Sequence, residues 1–194
     1  ISSNFDVIIL DDGFQDSSIF KNLNIICFNE KQLFGNEMTL PSGPLREPLS
    51  SLKKCKIVLI NGNKNENLES KINNISKDIV IYYSKYSLIN NESLKNKNLL
   101  AFAGIGNPEN FFDLLKKNKF NIVKHISFPD HYEYSLKELH NLLNYAKKNN
   151  LEIVTTEKDF FRIKHHKIDE IKFLPVKLEI FKRENFFKEI KINL

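Results

Sequence analysis

The run Val7-Ile8-Ile9-Leu10 stops abruptly at Asp11-Asp12-Gly13, and few folds accommodate an apolar tetrad that ends in two adjacent carboxylates. A strand covered on both faces of a parallel sheet reads as a continuous apolar run. Ligands of open α/β sheets gather beyond the carboxyl ends of such strands. The segment therefore predicts a core strand that delivers acidic groups to a sheet edge, in the manner of a Walker-B strand whose Asp holds Mg²⁺ on nucleotide phosphates. Mg²⁺ needs only one or two carboxylates, because it keeps several waters. A solvated Asp-Asp-Gly turn explains the same letters, since Asp and Gly are ordinary turn residues.

Strand-like and helix-like segments alternate along the rest of the chain, the pattern of an α/β fold with a mainly parallel sheet. Strands are expected over residues 7–10, 24–28, 56–60, 78–83, 99–103, 121–128, 151–155 and 171–176. A helix over 109–117 would bury Phe111, Phe112, Leu114 and Leu115. A second helix is expected from Ser135 to about Lys148, with Ser135 and Glu138 as its capping box and Leu136, Leu139, Leu142, Leu143 and Ala146 facing the core. Thr156-Glu157-Lys158-Asp159 reads as a helix start. The polar stretch 85–98 marks an interdomain connection between a first domain, 1–84, and a second α/β domain, 99–194.

The formal net charge of +5 would suit an anionic partner, but the basic residues are dispersed among acids. No compact basic block with interleaved aromatics is present, so a nucleic-acid groove is not expected. Cys27 and Cys55 share no metal-type spacing and read as buried, reduced thiols. No apolar run reaches the roughly 18 to 20 residues of a membrane span. The first residue is Ile1 rather than Met, and the expectation is that the chain is the later part of a longer protein.

The loop Gly35-Asn36-Glu37-Met38-Thr39-Leu40-Pro41-Ser42-Gly43-Pro44-Leu45-Arg46-Glu47-Pro48-Leu49 is rich in Pro and Gly and carries an Arg-Glu pair. The planar Arg fork suits phosphate oxygens, and a neighbouring Glu can hold metal or orient the Arg. A surface ion pair beside a helix start fits that stretch equally.

Taken together, Asp11-Asp12-Gly13-Phe14-Gln15, Leu40-Pro41-Ser42-Gly43-Pro44-Leu45-Arg46-Glu47-Pro48-Leu49, Phe102-Ala103-Gly104-Ile105-Gly106-Asn107-Pro108, Phe128-Pro129-Asp130-His131 and Thr156-Glu157-Lys158-Asp159 resemble the tetraacyldisaccharide 4'-kinase family. The resemblance runs over nearly the whole chain. It implies a P-loop-kinase-like parallel sheet with a second, smaller α/β domain and an active site in the cleft between them. The implied reaction moves the γ-phosphate of ATP to the 4'-hydroxyl of a tetraacyldisaccharide 1-phosphate, the lipid A precursor, at the cytoplasmic face of the bacterial inner membrane.

By the same resemblance Asp11 and Asp12 match an acidic pair near Mg²⁺, and Arg46 and Glu47 match an Arg-Glu pair at the phosphate and metal site. His131 matches the His of an Asp-His dyad that activates the acceptor hydroxyl. The implied catalytic set is thus His131, Asp11 and Arg46, with Arg46 also on ATP and Asp11, Asp12 and Glu47 on the metal. Asp16 and Tyr132 stand where the family usually has His. No G-x-x-x-x-G-K-[ST] loop occurs in these residues. The P-loop, a membrane anchor and the carboxylate of the dyad are expected upstream of Ile1, and the 194 residues alone are expected to be inactive. The competing reading is a non-catalytic nucleotide- or nucleic-acid-binding α/β protein, or an inactive paralogue.

Overall fold

The computed structural model describes residues 5–89 and 92–194. The elements run β1 (Ile25–Asn29), β2 (Ile57–Asn61), α1 (Glu66–Ile75), β3 (Val80–Leu88), β4 (Asn98–Ala103), α2 (Pro108–Lys117), β5 (Asn121–Ser127), α3 (Leu136–Lys148), β6 (Glu152–Thr156), α4 (Glu157–Ile163), β7 (Ile171–Leu174), β8 (Val176–Ile180) and α5 (Arg183–Asn193). They form two compact units, one of residues 1–85 with 179–194, the other of residues 86–178.

In the first unit the sheet order is β1-β2-β3-β8, and β1, β2 and β3 pair in parallel. The apolar run of β2 is continuous because both of its faces are covered. Val58 and Ile60 pack with Phe34, Leu52, and Leu68 and Ile72 of α1, while Ile57 and Leu59 turn to Tyr82 and Phe186. That second cluster explains a departure from expectation. Residues 179–194 were expected in the second domain, yet α5 folds back on the first unit, where Phe186 meets Tyr82 edge-on at 5.2 Å and covers an otherwise bare sheet face. Nor is 85–98 simply a solvated connection: β3 continues to Leu88, and Leu94 is buried in the core of the second unit.

Two further expectations give way in this unit. Val7–Leu10 joins neither sheet, and its side chains are exposed, Ile9 to 88%. A strand needs a hydrogen-bonded neighbour, and among the described residues none pairs with this one. Cys27 is exposed because it lies on the edge strand β1, where its side chain, directed away from Ile26 and Phe28 and level with Leu59, has a neighbouring strand on one side only. Cys55 is buried as expected, and burial pushes its thiol up to about 11.

The second unit is a parallel sheet of order β5-β4-β6-β7. Its central strand β4 is buried from Leu99 to Ala103, and the period of two sorts its residues between layers. Leu99, Ala101 and Ala103 meet Phe111, Phe112 and Leu115 of α2. Leu100 and Phe102 meet Leu139, Leu142 and Ala146 of α3 and Ile163 of α4. Leu136, expected in that core, is 45% exposed.

The capping box of α3 is present: Glu138 N–H donates to Ser135 Oγ at 3.3 Å, and Glu138 Oε2 accepts from Ser135 N–H at 2.9 Å and from its hydroxyl at 2.6 Å. These bonds, the Ser135 hydroxyl first and the Tyr132 hydroxyl next, hold the Glu138 carboxyl down to about 2, below its usual 4.5. A carboxyl depressed by folding stabilises fully above its unfolded value and progressively less as pH falls through the folded one. Glu138→Gln should therefore flatten the acid side of the thermal-midpoint profile between about pH 4.5 and 2. Parallel profiles for wild type and variant in that window would refute the assignment.

Candidate functional site

In the first unit, the turn after Leu10 brings the acidic pair to the surface. Asp12 takes the left-handed conformation with φ 55°, and a Cβ on Gly13 would lie 2.6 Å from the Leu10 Cβ, so only glycine lets the chain fold back so tightly. Downstream, the Lys21 ammonium binds the carbonyls of Gly13 and Phe14 at 3.0 and 3.3 Å, and that of Asp16. Asp16 accepts from the Ser18 hydroxyl and amide, and those bonds hold its carboxyl below the usual range.

The Pro- and Gly-rich loop is closed on itself. Leu40 N–H donates to Leu45 O at 2.9 Å, Leu45 N–H to Met38 O at 3.2 Å, and the Asn36 amide to Ser42 O at 2.8 Å. Gly43 lies so close to Asn36 and Met38 that a Cβ would sit 2.3 Å from the Met38 carbonyl oxygen. The consequence is a stiff platform for Arg46, whose Nη1 donates to Asp12 Oδ2 at 2.5 Å. Two expected site residues 34 positions apart in sequence are thus joined. Both remain mostly exposed. Asp11 is exposed and Glu47 half-buried beside them in sequence, and among the described residues no three His, Cys, Asp or Glu side chains converge as a metal cage.

His131 belongs to the second unit, where strand order makes a separate site. From β4 the chain turns to β5 on one side and then crosses to β6 on the other, which places a topological switch point, the usual ligand crevice of an open sheet, at the carboxyl ends of β4 and β6. Three segments meet there: Gly104 after β4, Asp130-His131 after β5, and Thr156–Arg162 running from the end of β6 into α4.

The hub is Asp159, fully buried. Its Oδ2 accepts from the Gly104 amide at 2.9 Å and the Thr156 hydroxyl at 2.7 Å, and its Oδ1 from Arg162 Nη1 at 3.0 Å. Arg162 Nη1 also donates to Gly104 O at 2.6 Å, while Nη2 lies 3.2 Å from His131 Nδ1.

His131 itself has φ 57°, with its amide bonded to Asp130 Oδ1 at 3.0 Å and its imidazole 82% exposed. An aromatic cluster underlies this turn: Phe128, Tyr132 and Tyr134 lie 4.9 to 5.2 Å apart. Tyr132, where the resemblance leads one to look for His, instead donates to Glu138 Oε1 at 2.6 Å. The Tyr134 hydroxyl is buried 2.6 Å from where a Gly104 Cβ would stand, so Gly104 admits no side chain. Burial first, and the Asp159 carboxylate second, push the Tyr134 phenol up.

The sequence marks Asp159 first as part of a helix start, which it is, since its amide donates to Thr156 Oγ at 3.1 Å, and second as a contact across a cleft. The carboxylate's reach to Gly104 and Arg162 went unnoticed, and Arg162 was not singled out at all. The remaining histidines stay outside both sites: His125 packs on Phe112, and His166 bonds the Tyr134 carbonyl.

Against known proteins, the family profile described as tetraacyldisaccharide-1-P 4'-kinase matches residues 1–194. The chain belongs to the tetraacyldisaccharide-1-P 4'-kinase family. A family member from Pelagibacter ubique (strain HTCC1062) is 43% identical over 197 residues, covering 100% of this chain and 63% of the relative. The 4'-kinase of Rickettsia bellii (strain OSU 85-389) is 38% identical over 175 residues, covering 90% of this chain and 53% of its own length. The chain thus spans between half and two thirds of these 4'-kinases. A crystal structure of the family member from Aquifex aeolicus in complex with ATP superposes with a TM-score of 0.64 at 21% identity, covering 93% of this chain and 55% of that one. The α/β fold with two mainly parallel sheets is that of a 4'-kinase.

Proposed function

We propose that the full-length protein is an ATP-dependent kinase that phosphorylates the 4'-hydroxyl of a tetraacyldisaccharide 1-phosphate in lipid A biosynthesis. The observation that carries this reading is the Asp12–Arg46 pair, formed by the two loops that resemble the family's metal and phosphate motifs, in a chain that matches the family from end to end.

An exposed ion pair is worth about 0–1 kcal/mol. Arg46 can therefore leave Asp12 for a phosphate oxygen, and Asp12 can turn to a metal, at little cost. Asp11 and Asp12 fit Mg²⁺, which is held through one or two carboxylates together with waters and phosphate oxygens. Glu47 stands next to Arg46 and would complete that environment. A Mg²⁺ held by these carboxylates would supply neutralisation of the charge that develops on the transferred phosphoryl group. Arg46 adds a planar fork to the same charge, and its stiff loop holds the fork in place before the substrate arrives.

His131 is assigned to the acceptor side, where an imidazole can help prepare a sugar hydroxyl, a poor acid, for attack. The triphosphate cradle is assigned to a P-loop outside these 194 residues, which alone should show no turnover. The tetraacyl substrate is a membrane lipid, so the reaction is placed at a membrane surface, on the cytoplasmic face of the inner membrane. No helix of the described residues is long and apolar enough to cross a membrane.

Steady-state assays of the full-length protein test this directly. Asp12→Ala and Glu47→Ala should each abolish Mg²⁺-dependent turnover while circular dichroism stays unchanged. Full turnover in both variants would contradict the site.

A further inference from the structure

Arg46 stands at the end of a loop that one side chain holds closed. Asn36 Nδ2 donates to Ser42 O at 2.8 Å, and Asn36 Oδ1 accepts from the Met38 amide at 3.2 Å. The two partners settle which way the side-chain amide points, because a backbone N–H only donates and a carbonyl only accepts. The bond from Met38 makes a local Asx turn, and the bond to Ser42 reaches across the loop. Between these ends the backbone is tied as well, the Ser42 and Gly43 amides both donating to Thr39 O at 3.0 and 3.1 Å. Leu45 is gripped twice, its N–H by Met38 O at 3.2 Å and its carbonyl by the Leu40 amide at 2.9 Å. The peptide that leads into Arg46 therefore takes its place from the residues that Asn36 holds.

We propose that Asn36 is a positioning residue for phosphoryl transfer: its amide braces the 38–45 loop and so fixes where Arg46 stands. The inference rests on the reading that Arg46 meets phosphate oxygens, and adds to it the residue that sets its place.

The brace has firm footing. Phe34, two residues before Asn36, is buried and meets Phe28 of β1 edge-on at 5.0 Å. Glu37, one residue after, pairs with Lys71 of α1. From the far side of the loop, Gly43 leaves the space that the amide occupies, since a Cβ there would crowd Asn36 Oδ1 and Met38 O. Both Asn36 bonds are exposed, so each contributes little to global stability. Their contribution is order at the reacting end, where a misplacement of about 1 Å can cost on the order of 10²-fold in rate.

The test is a double-mutant cycle in the full-length protein. Asn36→Ala should leave circular dichroism unchanged, lower kcat on the order of tenfold, a part of the loss expected when the Arg46 donor is removed outright, and leave KM for ATP near its wild-type value. In an Arg46→Ala background the same substitution should add less than about a twofold further loss, because a residue that acts through Arg46 then has nothing left to position. Amide exchange at Leu40 and Leu45 should quicken in Asn36→Ala while that of β2 holds. Asn36→Asp keeps the acceptor for Met38, loses the donor to Ser42, and should fall between.

A kcat unaffected by Asn36→Ala, a loss of about tenfold repeated in the Arg46→Ala background, or unchanged exchange at Leu40 and Leu45 would each overturn the proposal. So would an Asn36→Ala protein that fails to fold, since the amide would then hold the whole unit and not the loop. Failure of the underlying reading looks different: Arg46→Ala alone would then keep full turnover.

Discussion

Asp159→Ala should be the most destabilising single change in the second unit, costing about 3–5 kcal/mol, the range for removing one partner of a buried ion pair. The substitution orphans the Gly104 amide and the Thr156 hydroxyl proton and leaves Arg162 Nη1 with the Gly104 carbonyl alone. Arg162 is only 27% exposed, so water replaces the lost carboxylate poorly. A domain is stable by only about 5–15 kcal/mol in total, and the loss would be felt throughout the sheet. Hydrogen exchange of the β4 and β6 amides reads it locally: their protection should collapse, while that of β2 in the other unit holds. Asp159→Asn preserves shape and some bonding and should fall between. A loss below about 1 kcal/mol, the range of an exposed pair, would show that Asp159 is not the hub.

Arg46→Ala should do the opposite, with a stability change below about 1 kcal/mol because its pair with Asp12 is exposed. Turnover of the full-length protein should fall on the order of 10²–10³-fold, as when a preorganised donor to developing charge is removed. Arg46→Lys keeps the charge but loses the bidentate fork and should recover only part of the rate. The contrast would separate the two Arg residues: Arg162 holds a buried structure, whereas Arg46 is proposed to hold a ligand. A stable Arg46→Ala protein with undiminished turnover would remove Arg46 from the site.

How far the residues alone carried this account follows from the range of each interaction. Strands β1, β2 and β4 to β7 and helices α2 and α3 announce themselves through local apolar periodicity, and α3 through its capping box as well. Helix α1 was missed, although Asn65 caps it and Leu68 and Ile72 stand four apart, because its surroundings are polar. Val7–Leu10 has the letters of a core strand and no strand beside it, and letters do not record partners. The return of α5 to the first unit is set by Phe186 meeting Tyr82, a contact between residues about a hundred positions apart.

The candidate site divides along the same line. Asp12 and Arg46 were legible as motifs, and the structure adds their bond. The Gly104, His131, Asp159 and Arg162 constellation depends on strand order β5-β4-β6-β7, which joins residues 31 to 58 positions apart. No spacing rule along the chain would reveal it.

Product analysis tests the central claim most directly. The full-length protein would be incubated with ATP, Mg²⁺ and tetraacyldisaccharide 1-phosphate, and the lipid examined by tandem mass spectrometry. The account predicts one added phosphoryl group on the 4' oxygen, absent when Mg²⁺ is chelated or Asp12 is replaced by Ala. A lipid recovered unchanged while ATP is bound or hydrolysed, or a phosphoryl group on another oxygen, would contradict it.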